Sequence, residues 1–217
     1  MVAMGHQHIV TSFTTGATRA CRASRPTRRA SGFSLVEVLV SIVVLSFGLL
    51  GMVGMQAASL KANREARLQS SAMVLARELA EMVRSNNAIG ILTGAANPYL
   101  GSFSSPLAAA TPTYCLSVGT TACADNTAIA NAEMTEWLAR VDTELPGARV
   151  DVCFDAAPFD TTTGLPRWAC AAGTSGVIVV KIGWTRGSTD RSKSGAAAFE
   201  RATIPSIVFP VTAGSVL

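Results

Sequence analysis

Histidine is almost missing: the 217-residue chain has two, His6 and His8, and none beyond them. Ser-His and Cys-His nucleophile pairs are therefore unavailable to the body of the protein. There is also no G-x-S-x-G turn, no phosphate-binding glycine loop and no C-x-x-C spacing. His6 and His8 offer only two ligands, too few to hold a metal. No catalytic residue, no cofactor and no metal are expected, and the chain reads as non-enzymatic.

Charge is scarce at 15%, aromatics at 6%, while 49% of residues are hydrophobic. Disorder throughout is excluded by that apolar fraction, and the length is ample to bury a core. Acid is absent from residues 1–32, which hold five arginines (Arg19, Arg22, Arg25, Arg28 and Arg29). Setting those five aside leaves thirteen basic against fourteen acidic residues. The remainder has no basic excess to neutralise phosphates, so nucleic acid is not an expected partner. Long apolar runs are also few. There is one, which excludes a multi-span membrane protein.

That run, Val38 to Leu60, is 23 residues without a formal charge. As a helix rising ~1.5 Å per residue it reaches roughly 34 Å, enough for a hydrocarbon core of about 30 Å. Five arginines precede it, and Lys61, Arg64 and Arg67 follow it. The bias favours a cytoplasmic N-terminus and an exported body. A secretory signal peptide would have a shorter apolar core and a small-residue cleavage site, which Ala57-Ala58-Ser59 matches poorly.

Glu37 stands at the head of the run, inside GFSLVEVLVS. An acid at a bilayer centre costs about 2.5–3.5 kcal/mol, and less near the interface. It reads either as an interfacial acid stabilising the positive end of a helix, or as a carboxylate awaiting a positive partner.

The segment Arg28-Arg29-Ala30-Ser31-Gly32-Phe33-Ser34-Leu35-Val36-Glu37-Val38-Leu39-Val40 resembles the class III signal of type IV prepilins and pseudopilins. The resemblance implies cleavage between Gly32 and Phe33 by a prepilin peptidase/N-methyltransferase, then N-methylation of Phe33. It makes Glu37 the fifth mature residue, whose carboxylate meets a neighbouring subunit's N-terminal ammonium. A charge pair formed in lipid relieves two desolvated charges and fixes axial register. The 32-residue leader is longer than usual for that family, and Met4 as an internal start barely shortens it.

Residues 48–63, GLLGMVGMQAASLKAN, with Ala80-Glu81-Met82-Val83-Arg84-Ser85-Asn86, resemble the PilV-type minor pilins, also called type IV pilus modification proteins. This implies a structural subunit of pilus biogenesis, with motility or adhesion following from the family. Its partners would be other major and minor pilins and inner-membrane lipid. Its path would run from a single pass in the inner membrane to the cell surface. A type II secretion pseudopilin is the alternative, and a membrane-anchored periplasmic binding domain or enzyme a more distant one.

The helix is expected to continue past the membrane. Leu68, Ala72, Leu75, Leu79, Met82 and Val83 form one stripe at helical period, no proline occurs from Phe33 to Asn97, and Ser85-Asn86-Asn87 is a stop. Gly48, Gly51 and Gly54 interrupt it, each costing up to ~1 kcal/mol against alanine. They read as close helix packing or as a segment that extends in a filament. Residues 86–113 show no period and read as a loop-rich connection.

Asp125-Asn126 is a candidate cap for a helix with Met134, Trp137, Leu138, Val141 and Leu145 on its core face, ended by Pro146-Gly147. Strands follow around Val150-Val152-Phe154, Ile178-Val180-Ile182-Trp184 and Ile204–Val211, the last an edge because of Pro205 and Pro210. Arg186 to Ala198 reads as a polar, hairpin-like loop. The expected fold is α+β, a long helix on a small antiparallel sheet. The expected organisation is a leader over 1–32, a long helix over 33–85 spanning the membrane at about 38–60, and a globular domain over 86–217.

Cys21 goes with the leader, leaving Cys115, Cys123, Cys153 and Cys170. Four cysteines in an exported body imply disulfides, with three possible connectivities. Cys115–Cys123 and Cys153–Cys170 are expected because local loops close easily. Asp151, Asp155 and Asp160 lack the alternation of a calcium loop and read as a solvated turn.

Overall fold

The computed structural model describes residues 32–117, 119, 121–171, 177–190 and 192–214. The expected leader over 1–32, with Cys21, lies outside the described residues, apart from Gly32. The chain divides into two units, one ending at Gly51 and the other Met52–Leu217.

In the first unit Gly32–Ser34 lead into α1 (Leu35–Ser85). Ser34 opens the helix. Its carbonyl accepts from the Glu37 and Val38 N–H groups at 3.0 and 3.2 Å, and its Oγ accepts from Val36 N at 3.4 Å. These contacts satisfy part of the first turn's orphan donors. Ser41 and Ser46 donate to the carbonyls of Glu37 and Ile42, both at 2.7 Å. Their hydroxyls are thereby satisfied inside the helix, which an apolar surrounding requires.

In the second unit α1 becomes amphipathic. Ala72, Leu75, Ala76, Leu79, Ala80 and Val83 are buried, and Leu68, Met73 and Met82 pack at the margin. The helix stops where Asn86 Nδ2 donates to the Asn126 carbonyl at 2.7 Å, tying its end to α3 (Asn126–Glu144). Asp125 caps α3, its carboxylate accepting from Ala128 N at 2.7 Å. Trp137 is fully buried, and its Nε1 donates to the Leu75 carbonyl at 3.0 Å. Pro146 and Gly147 follow the end of α3, Gly147 at φ +58. There a Cβ would sit 2.3 Å from Thr185 Oγ1.

Strands β1 (Gly101–Ser104), β2 (Arg149–Asp155), β3 (Val177–Gly183) and β6 (Ile207–Val211) form an antiparallel sheet in the order β1-β2-β3-β6. Val150, Val152, Ile178, Val180, Ile182 and Val211 join the helices in one core. The long helix and small antiparallel sheet make an α+β, pilin-like fold. Pro210 sits in β6, an edge strand as its proline requires. The polar loop after Trp184 contains a small ribbon, β4 (Arg186–Gly187) paired with β5 (Phe199–Glu200).

Two expectations are revised. Residues 86–113 are loop-rich as expected, but they also hold the short helix α2 (Asn87–Gly90), a 3-10 turn at Gly94–Ala96 and strand β1. Hydrogen bonds rather than periodicity order them. Buried Asn97 donates to the carbonyls of Gly90 and Leu92 at 3.2 and 2.9 Å and accepts from Tyr99 N at 3.0 Å. Gly90 passes so close to α1 that a Cβ would meet the Val83 carbonyl at 2.8 Å. The second revision concerns the polar positions of β2 and β3. Asp151 and Asp155, expected in a solvated turn, are instead buried, and Lys181 of β3 is buried beside them, because residues 156–171 fold over that face of the sheet.

Candidate functional site

The N-terminal segment of the first unit carries the candidate site. Phe33 is 83% exposed, just ahead of the first helical turn. Glu37, Ser41 and Leu45 lie below it at four-residue spacing, with Val38 and Ile42 alongside, so these six side chains line one shallow groove on a single helix face. The Glu37 carboxylate is exposed and takes no hydrogen bond or ion pair among the described residues.

Around it every described residue from Phe33 to Leu60 is exposed. The most apolar 18-residue window of α1 has a mean hydropathy of 2.5, with none of it buried. A soluble helix would not leave such a surface bare, so it is built to be covered by something apolar. Gly48, Gly51 and Gly54 are helical, and nothing lies within 4 Å of a Cβ placed on any of them.

The cysteines belong to the second unit. Cys115–Cys123 closes the loop before α3, with Cα atoms 5.0 Å apart. Cys153–Cys170 joins β2 to the covering loop at 6.4 Å. Cys153, Asp155 and Cys170 place potential ligand atoms within 4.8 Å of one another. Two of those atoms are bonded to each other as a disulfide, which leaves no thiolate to bind a metal.

Beneath that disulfide is a feature that the alternation pattern did not reveal. Lys181 is fully buried, and its Nζ donates to Asp155 Oδ2 at 2.6 Å and to the carbonyls of Ala169 and Trp168 at 3.0 and 3.3 Å. Asp155 also accepts from the N–H groups of Ala157 and Ala171 at 2.9 and 3.0 Å. Burial alone would raise the Asp155 carboxyl. The Lys181 ammonium and the two backbone donors outweigh it and hold the group below the usual carboxylate range. The signal in the sequence was a lone lysine within VIVVKIG.

Beside this pair, Arg149 stacks 4.2 Å from the Trp168 ring and bonds Asp151 at 2.9 Å, and Asp151 also accepts from Ser102. Burial pushes the Asp151 carboxyl up, against the pull of Arg149. Asp160 serves a tight turn, accepting from Thr163 N and Thr162 N at 2.8 and 3.0 Å. The three aspartates thus serve three separate structural tasks.

Phe33 and Glu37 thus stand at the head of a bare apolar helix, directly after Gly32, and the Glu37 carboxylate has no partner among the described residues. Residues 27–53 match the family model for the prokaryotic N-terminal methylation motif. That motif with the long apolar helix and small antiparallel sheet supports a type IV pilin-like or pseudopilin-like subunit, a structural class of protein. The match covers the processing segment and the start of α1, not the body. No curated protein gives a significant match, and no solved structure does.

Proposed function

We propose that the chain is a minor pilin of the PilV type, a non-catalytic subunit in type IV pilus assembly. A prepilin peptidase/N-methyltransferase cuts between Gly32 and Phe33 on the cytoplasmic side and methylates the new amine. Residues 38–60 hold the subunit in the inner membrane as a single pass, with the body over 86–217 exported. During assembly the bare face of α1 passes from lipid to other pilins, and Glu37 pairs with a neighbour's N-terminal ammonium.

The observation that carries this reading is the methylation motif at residues 27–53, with Glu37 unpartnered on the first turn of an exposed apolar helix. A carboxylate there costs free energy in lipid unless a cation meets it, which an assembly contact supplies. The PilV type rests on the likeness at residues 48–63 and 80–86, and motility or adhesion follows from it.

Glu37→Ala tests the assembly role. The variant should remain in the membrane fraction at wild-type level and be depleted from sheared pili. Undiminished recovery in pili contradicts the role given to Glu37. Co-isolation of the wild type with pilus subunits, rather than with secretion-system pseudopilins, separates the pilus reading from its alternative.

A further inference from the structure

Within the second unit, immediately beyond the uncharged stretch that ends at Leu60, a groove of about 410 Å³ opens between α1 and the β4–β5 ribbon. Its charged lining is Lys61, Arg64, Glu65 and Arg186, and Leu68 and Phe199 give it apolar walls. Arg186 is already engaged: its Nε lies 2.8 Å from Glu65 Oε1, and its guanidinium sits 4.9 Å from the Trp184 ring centre. Lys61 and Arg64 are not, for neither takes a hydrogen bond or ion pair among the described residues. Lys61 nonetheless reaches across to the ribbon, its Nζ 3.9 Å from where a Cβ on Gly187 would stand. The groove therefore holds two uncompensated cations beside exposed apolar surface, Phe199 being 57% exposed.

We propose that this groove holds the phosphate of an anionic phospholipid headgroup. Lys61 and Arg64 supply the charge, and Phe199 and Leu68 lie against the glycerol and upper acyl carbons. The inference rests on the membrane reading above, because that reading puts Lys61 at the depth where lipid phosphates lie. Charge complementarity and continuity with the apolar span favour a lipid over a soluble anion. Cations beside an anionic leaflet each strengthen association by about fivefold, and the effect fades with salt.

The test uses the full chain in neutral-detergent micelles. It is titrated with phosphatidylglycerol, phosphatidylcholine or inorganic phosphate, and retained adducts are counted by native mass spectrometry. Wild type should retain phosphatidylglycerol preferentially. Lys61→Gln/Arg64→Gln should weaken that binding roughly 25-fold, two such fivefold factors, to the level of phosphatidylcholine. Arg67→Gln, which removes a cation outside the groove, should leave it unchanged.

Equal retention of the two lipids by wild type overturns the proposal, as does an Arg67→Gln loss matching the double variant. Phosphate adducts at the concentrations where phosphatidylglycerol binds overturn the lipid assignment in favour of a free anion. Flotation with phosphatidylcholine vesicles tests the membrane reading separately. A chain that floats but shows no lipid preference loses only the groove. One that does not float loses both.

Discussion

The buried pair of Lys181 and Asp155 invites a direct energetic test. Both side chains are fully shielded from solvent, so neither charge is tolerable alone. Asp155→Leu leaves the Lys181 ammonium with only the carbonyls of Trp168 and Ala169 and a weak contact to Cys170 Sγ, and should cost about 3–5 kcal/mol. At roughly 2–4 °C per kcal/mol for a domain of this size, the melting temperature should fall by about 6–20 °C. Lys181→Met leaves a buried carboxylate that keeps two N–H donors, so its cost should be the smaller. The double variant should recover most of the loss, because two apolar side chains suit a buried site.

The pH dependence has a fixed sign. Asp155 is held below its ordinary range, so its contribution is present above the unfolded carboxylate value of about 3.9 and is lost as pH falls through the folded value. Thermal unfolding in detergent, followed by tryptophan fluorescence from pH 2 to 7, reads both effects. Trp168 lies in the segment that covers the pair. Single variants within about 1 kcal/mol of wild type, with an unchanged acid limb, would refute the reasoning.

Three further variants probe the second unit by the same assay. Asp125→Ala removes the cap of α3 and should cost about 1 kcal/mol. Trp137→Phe deletes the hydrogen bond to Leu75 between α3 and α1 and should cost about 2 kcal/mol, mostly as faster unfolding if that contact forms late. Glu133 is pushed up by burial, against the hydroxyl of Tyr99 that it accepts from. A raised folded value favours the protonated form, so its contribution is present below the unfolded value and is lost as pH rises through the folded one. Glu133→Gln should therefore gain on wild type as pH rises from 4 to 7 and match it at lower pH, and the reverse trend would contradict this.

The parts of the fold that repeat were readable in the sequence. Leu75, Leu79 and Val83 follow the helical period because one face of α1 meets a core, and Val150, Val152, Val180 and Ile182 alternate because one sheet face does. Pro210 marked an edge because proline donates nothing to a ladder. Strand β1 was not readable: Gly101-Ser102-Phe103-Ser104 has little strand character of its own and is extended because β2 offers it a partner. The burial of Lys181 was hidden for a related reason. Alternation assigns it to the solvent side, and only the chain folding over that side makes it interior.

The candidate site differs in kind. Gly32, Phe33 and Glu37 are close in sequence and fall inside the matched segment 27–53, so a linear motif exposes them without any fold. The groove at Lys61 and Arg186 joins residues more than a hundred positions apart, and no local pattern links them.

The central claim is that the chain is processed and assembled as a pilin, and the identity of the mature N-terminus tests it most directly. Terminal mass analysis of protein from membranes and from sheared surface filaments should find N-methylated Phe33 in both fractions. An intact leader, or a start near Ser59, would contradict the claim.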